Sequence, residues 1–358
     1  MKRSIDSAAF KDVSGVIGPL KGCYHYAYAV PLDPGSWLGR KFKWLKLREQ
    51  RFDVDRFDAR CFSSEDALLI VLADHIPRVP TVLTIADGVS VHNFIEGETL
   101  AQAVPTGAPL PERHLVQIEA LFRSLAAFDV ARLDGLKRVC VSGSRDRDSD
   151  DSGAFLQSLV DFTHTEVCQA HLPQFGELFE DLGISDDALP AFGKEAPPLT
   201  TRPYALLHGD LHRENFIVDP RGRLWTIDWE LARIGDPVYE LATHLHLMRY
   251  SDRQMWEVLH RWRRAVEEVR PGATRGVEQD LPVYLGYKRL QSVYTDVIRS
   301  ATTLRDDADR SRAKTEHVAT TVARSLARAH GVLGMRRNAV PSVKTVASML
   351  NAWVSRNR

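Results

Sequence analysis

Apolar residues change their period near residue 100, and that change restricts the fold more than any other property of the chain. From Val13 to about Leu47 the stretches GVIGPLKGCYHYAYAV and KFKWLKL are rich in β-branched and aromatic residues. DPGSWLG lies between them as a turn, so strands are expected. Ser63 and Ser64 then precede EDALLIVLADH, an N-cap followed by an acidic first turn and helical spacing. This predicts a helix from about Ser64 to His75, stopped by IPRVP. TVLTIAD and VSVHNFI read as two further strands, the second running into EGETL. Beyond them PERHLVQIEALFRSLAAFDVARL has the pattern of a long amphipathic helix. From about Val238 onward nearly every segment does, apart from RPGATRG and NAVPS. Residues 141–153, VSGSRDRDSDDSG, have no apolar anchor and are expected to form a mobile loop. A strand-rich start joined to a helical remainder is an α+β pattern.

The 358 residues are enough for two lobes of ordinary size. Lys plus Arg and Asp plus Glu both number 47, so no surplus of positive charge argues for nucleic acid or an anionic membrane as partner. A small molecule is the expected partner. Cys23, Cys61, Cys140 and Cys168 lie far apart without a CxxC pair, which points away from a zinc site or disulfide framework and toward a reducing compartment. No 18 apolar residues run together, so a soluble, cytoplasmic protein is expected.

Chemistry is concentrated in residues 206–245, LLHGDLHRENFIVDPRGRLWTIDWELARIGDPVYELATHL. An HGD triplet is followed after five residues by Asn215, then by a hairpin built on DPRG, then by Asp228 in the apolar strand LWTID. Each residue alone has a plain structural explanation: a turn for HGD, a buried ion pair for Asp228. Together they form the set that phosphoryl transfer needs. Asp210 would accept the proton of an attacking hydroxyl, while Asn215 and Asp228 would offer hard oxygens to Mg²⁺.

These residues resemble the aminoglycoside phosphotransferase and choline kinase family, relatives of protein kinases with HGDxxxxN as catalytic loop and an IDW or IDF segment after it. GDPVYELA, residues 235–242, is similar to the family's GDPxxDLA, with Glu240 where Asp is usual. Asp236 and Glu240 are expected to be structural caps, and His208 to support the loop; His212 and Glu214 lie nearby. The resemblance implies a bilobal protein-kinase-like fold, with a β-rich nucleotide-binding N-lobe over residues 1–97 and a mainly helical C-lobe over 98–358 that holds the catalytic loop, 206–230. It also implies that Gly22, in GPLKGCYHYAYAV, lets the backbone approach the phosphates of ATP or GTP. Lys46 in WLKLRE would reach the α and β phosphates. Lys41 and Lys43 compete for that role, but as strand residues they face the other way. Glu65 would pair with Lys46, with Asp66 as the rival. Backbone groups of Phe94, Ile95 and Glu96 would hold the base edge.

The family phosphorylates antibiotics, choline, ethanolamine, amino-acid and sugar hydroxyls, and fold does not choose among these. The C-terminal stretches HLHLMRYSDRQMWEVLHRWRR and YLGYKRLQSVYTD are less acidic than a polycationic aminoglycoside would require. An antibiotic of aminoglycoside, macrolide or nucleoside type is the first expectation, and a metabolic hydroxyl compound the second. An inactive nucleotide-binding relative comes third, because Lys46, Glu65, Asp210, Asn215 and Asp228 are all present. Tyr284, Tyr287 and Tyr294 are expected to be core.

Overall fold

The computed structural model describes residues 15–20, 25–50, 56–84, 90–140, 150–307 and 311–357. Gly22 and residues 141–149 lie outside them. Strands β1 (Ile17–Leu20), β2 (His25–Pro31), β3 (Trp44–Gln50), β4 (Val82–Thr84) and β5 (Ser90–Asn93) form one antiparallel sheet in the order β1-β2-β3-β5-β4. Alternation along β3 sends Leu45 into a small core with Leu32, Leu38 and Val91. Lys46 and Arg48 are thereby set on a different face from Leu45. Helix α1 (Glu65–Leu72) starts where expected: the Ser64 Oγ accepts the Ala67 N–H at 3.1 Å. It buries Leu68, Leu69 and Leu72 and ends one turn before the expected His75.

After the short β6 (Glu98–Thr99), helices dominate: α2 (Leu100–Ala103), α3 (Glu112–Ala127), α4 (Ser152–Phe162), α5 (Ala170–Asp181) and α6 (Ala188–Glu195). A strand-bearing insert follows, consisting of β7 (Ala205–Leu207), β8 (Phe216–Val218), β9 (Leu224–Thr226) and β10 (Arg233–Gly235). Strand β7 pairs with β10, and β6 pairs with the β8–β9 hairpin. The chain then runs through α7 (Pro237–Met248), α8 (Asp252–Val269), α9 (Val277–Arg305), α10 (Arg312–Ala329) and α11 (Val343–Arg356). One large core joins α1 to these helices and takes in Tyr284, Tyr287 and Tyr294 of α9, as their spacing suggested. Among the described residues no helix is long and apolar enough to cross a membrane.

A buried ion cluster anchors the start of α7. The Arg202 guanidinium, fully buried, pairs with Asp236 at 2.6 Å and with Asp280. Asp236 also accepts from Tyr284 Oη at 2.8 Å and caps α7 through the Val238 N–H, again at 2.8 Å. Removing one member of such a cluster strands a buried charge and costs about 3–5 kcal/mol. The expected cap at Asp236 is therefore present, and it is also the pivot of a network that fixes where α7 sits.

Candidate active site

The HGD turn is shaped by its glycine. Gly209 has φ of 80°, and a Cβ there would lie 2.7 Å from the Leu231 carbonyl oxygen, so a side chain is excluded on two counts. On one side of it, His208 donates from Nε2 to the Ile227 carbonyl at 3.1 Å and accepts the Asp210 N–H on Nδ1 at 3.3 Å. That pattern requires a neutral ring, in keeping with burial that pushes its pKa down to about 4. On the other side, the Gly209 N–H donates to Glu240 at 2.9 Å. Glu240 is thus not a cap but a brace, reaching from inside α7 to the turn. Burial pushes its carboxyl up to about 7.

The loop is tied down further along. His244 of α7 donates to the Leu211 carbonyl at 2.9 Å and accepts from Tyr250 Oη at 2.9 Å. Arg213 is buried and donates to the carbonyls of Val104 at 2.7 Å, Pro105 and Ala108 at 3.1 Å and Met248 at 3.3 Å. These ties fix Asp210 in the cleft wall, with Asn215 donating from Nδ2 to both its Oδ2 and its carbonyl at 2.9 Å. His212 Nε2 lies 3.3 Å from the same Oδ2. Burial opposes the charge on Asp210, but the hydrogen bond and charge of His212 outweigh it and hold the carboxyl below its ordinary range. Asp210 also raises the His212 imidazole, again against burial.

Asp228 is not within a strand, as LWTID suggested: β9 ends at Thr226, and Asp228 takes a left-handed conformation with φ of 65°. Its two neighbours hold it there. The Ile227 N–H donates to the Asn215 carbonyl at 3.0 Å, and the Trp229 N–H donates to Glu65 Oε1 at 2.9 Å. A non-glycine residue in this region costs energy that surrounding contacts must offset, and such positions cluster at functional sites.

Lys46, Glu65, Asp210, Asn215 and Asp228 all line one cleft of about 870 Å³. The expected pairing of Glu65 with Lys46 is not found. Glu65 Oε2 instead pairs with Arg48, which also holds Asp66 at 2.6 Å, and His92 Nε2 lies 2.7 Å from that same Asp66 oxygen. Lys46 and Arg48 share a strand face two residues apart, and the longer, forked guanidinium reaches both carboxylates at the start of α1. Lys46 has no ion pair within 4.0 Å among the described residues. Burial and Arg48 lower its pKa, while Glu65 and Asp228 work the other way. Its ammonium is therefore unclaimed. Lys43 pairs with Glu96 at 3.3 Å, and Lys41 lies over the Phe42 ring.

Leu20 and Ala27 of the sheet and Ile217 and Ile227 of the insert face the same cleft and give it an apolar slot. Phe94, Ile95 and Gly97 line its rear, whereas the Glu96 side chain turns to Lys43. Gly97 is needed at that point, since a Cβ would lie 2.2 Å from the Val218 carbonyl oxygen.

The donor set also suits a hard divalent cation. Among the described residues, no hydrogen bond or ion pair engages the Asp228 carboxylate or Asn215 Oδ1. Burial, then Glu65, Glu230 and Asp210, push the Asp228 carboxyl up to about 8. A carboxylate destabilised by neighbouring carboxylates is relieved by a cation, and one carboxylate plus one amide oxygen leave room for phosphate oxygens and water. Among the described residues no group of three or more His, Cys, Asp or Glu is arranged to hold a metal.

Comparison with known proteins bears on this arrangement. The profile of the phosphotransferase enzyme family matches residues 55–273, more than half of the chain. No curated protein matches significantly. Among solved structures, the chain is similar to a candidate aminoglycoside phosphotransferase from Ralstonia eutropha at 13% identity and a TM-score of 0.54, covering 94% of this chain and 91% of that one. It is also similar to a choline/ethanolamine kinase family protein from Mesorhizobium loti at 16% identity and a TM-score of 0.50, covering 96% and 94%. A macrolide 2′-phosphotransferase from Brachybacterium faecium matches at 14% identity and a TM-score of 0.48, covering 87% and 93%. At these identities the first two similarities establish the fold, a kinase-like pairing of an antiparallel sheet with a helical lobe. The chain is a member of the phosphotransferase enzyme family.

Proposed function

We propose that this protein transfers the γ-phosphoryl group of ATP or GTP to a hydroxyl of a small molecule, with Asp210 as base. The observation that carries this is the convergence of an unclaimed ammonium, Lys46, with Asp210, Asn215 and Asp228 in one cleft that also holds an apolar slot. We divide the chain at about residue 97, with the nucleotide between the sheet and the helical part. Lys46 holds the α and β phosphates, and Glu65 and Arg48 brace the wall beside it while Glu65 fixes the backbone after Asp228. Asn215 and Asp228 would hold Mg²⁺, which would supply charge neutralisation on the phosphate oxygens. Asp210 orients the acceptor hydroxyl and takes its proton as the new oxygen–phosphorus bond forms and the bond to the β-phosphate oxygen breaks. Its depressed pKa keeps it ionised at neutral pH, and His212 beside it fixes the carboxylate's rotation.

Antibiotics and metabolic hydroxyl compounds are the two acceptor classes in view. Arg249, Lys288, Arg289, Arg299 and Arg328, which line the same cleft, disfavour a polycationic aminoglycoside, which would meet like charge there. The test is a screen of nucleotide consumption with ATP and with GTP against antibiotics and small hydroxylated metabolites, run with wild-type protein and Asp210→Asn. Acceptor-dependent release of nucleoside diphosphate by the wild type alone is expected. Equal release by both proteins would remove Asp210 from the chemistry.

A further inference from the structure

The cleft continues past Asp210 to a second end walled by the last turn of α7, by α9 and by α10. Arg249, Lys288, Arg289, Arg299 and Arg328 line it, against the single carboxylate that those helices contribute, Asp296. Among the described residues, none of these five cations has a carboxylate within 4.0 Å. Arg299 lies over the Phe57 ring at 4.8 Å, and Arg249, Arg289 and Arg328 are exposed in the cleft wall.

Lys288 differs from the arginines because it is buried, only 6% exposed. Its ammonium donates to Gln291 at 2.6 Å and lies 5.8 Å from the centre of the Tyr239 ring. Buried charges are ordinarily paired directly with an opposite charge, and this one is not. Burial opposes its charge, yet Tyr239, Asp58 and Asp210 outweigh burial and raise its pKa. The Lys288 side chain thus sits in the wall close enough to Asp210 for the two to influence each other.

His246 lies among four of these cations, all but Arg299. Its Nε2 lies 2.8 Å from Ser292 Oγ, and burial followed by Lys288, Arg328, Arg249 and Arg289 pushes it down to about 3. Arg328, though exposed over much of its side chain, is lowered by the burial of the rest and by Arg249, Arg324 and Arg289, with Asp296 opposing. Five cations line one concavity that also holds Asp58 and Asp296, yet among the described residues none of the five is paired directly, unlike Arg202 or Arg261.

We propose that the acceptor is an anion: a compact hydroxylated molecule whose carboxylate or phosphate is received by Lys288 with Arg249, Arg289 and Arg328 while its hydroxyl faces Asp210. This rests on the phosphotransferase reading above and names its substrate class. Lys288 is the anchor because it is preorganised by burial, whereas the arginines are long and solvated and close on the ligand. A charged hydrogen bond of this kind contributes roughly 1.5–3 kcal/mol, or about tenfold to a hundredfold in affinity. Free aminoglycosides are repelled, and neutral acceptors gain nothing from this end.

The test uses four matched sugars, glucuronate, glucose 6-phosphate, glucose and glucosamine, with the full-length protein saturated by Mg²⁺ and AMP-PNP. Thermal shift reads binding, and diphosphate release with ATP reads turnover. The expected result is a larger shift, or a lower KM, for an anionic sugar than for glucose and glucosamine. The ratio of the glucuronate and phosphate responses says which anion the site prefers. That preference should fall about tenfold or more in Lys288→Met, which keeps the side-chain volume, and in the exposed double variant Arg249→Glu with Arg328→Glu. Indifference to acceptor charge, preference for glucosamine, or an anion response that survives both variants would overturn the proposal. So would a Lys288→Met loss confined to kcat and equal for all acceptors, which would assign that lysine to the transferred phosphoryl group. A wild-type protein that fails to bind Mg²⁺ and AMP-PNP overturns the phosphotransferase reading as well, while one that binds them and ignores acceptor charge overturns only the anion.

Discussion

The two ends of the cleft carry opposite surpluses of charge. Around Asp228 the crowding is of carboxylates: Glu65, Glu230 and Asp210 raise its pKa to about 8 even though Arg48 and Arg60 pair with the first two. Around His246 the crowding is of cations. Asp228 at one end and Arg249, Lys288, Arg289 and Arg328 at the other have no ion pair among the described residues, and a folded chain does not hold like charges together without cost. On the proposed reading the difference gives each end its own counter-charge from outside: a divalent cation with its nucleotide at one, an anionic acceptor at the other. Asp210, which lines the same cleft, is then the point where the phosphoryl group would cross.

The comparison breaks most visibly at the junction. Asp210→Asn keeps the shape but removes the base, and kcat should fall by about 10²–10⁴-fold while nucleotide affinity changes little. A variant retaining near wild-type kcat would separate the two ends from any shared chemistry. Isothermal titration with AMP-PNP alongside the kinetics distinguishes the effects.

At the carboxylate end, Asp228→Asn should abolish Mg²⁺-dependent nucleotide binding yet stabilise the unliganded protein. The sign follows from the raised pKa. Between about pH 4, where the unfolded carboxyl titrates, and about pH 8, the folded state binds more protons, so the wild-type contribution falls as pH rises. Unliganded Asp228→Asn should therefore gain Tm over wild type at pH 8 and lose that advantage near pH 4. About 2 °C or more is expected, the shift that roughly 1 kcal/mol produces in a large domain. Melting curves across pH check it, and a variant less stable than wild type at pH 8 would mean that the carboxylates are already balanced.

At the cation end the smallest effect is expected from salt. Raising KCl from about 0.1 to about 1 M shortens the Debye length from about 10 to about 3 Å, and exposed arginines lose most of their reach. KM for an anionic acceptor should rise severalfold, and the dissociation constant of AMP-PNP should respond less because Lys46 is more sheltered. Equal salt sensitivity at both ends would blur the contrast.

Much of the carboxylate end was legible in the sequence because it is local. HGD, Asn215 and Asp228 fall within 21 residues in the chain, joined by a loop and one hairpin, so their convergence follows from short-range geometry. The α+β division and the N-cap at Ser64 were legible for the same reason. What escaped depends on which long side chain wins a shared partner. Lys46 and Arg48 occupy one face of β3, and only three-dimensional reach decides that Arg48 takes Glu65 and Asp66. Glu240 looked like a cap because it lies in the first turn of α7, yet its partner is 31 residues upstream. The cation end was the least legible. Its charges come from three helices whose Arg residues read as solvated faces until packing turns some of them into one cavity.

Calorimetric titration of AMP-PNP, with and without Mg²⁺, into wild type, Lys46→Met and Asp228→Asn measures the junction of sheet and helical part most directly. Wild-type binding that requires Mg²⁺ and is weakened about tenfold or more by either substitution is the expected result. Tight binding indifferent to Mg²⁺ and to both substitutions would contradict it, because the lysine of β3 and the carboxylate after β9 would then not share a ligand.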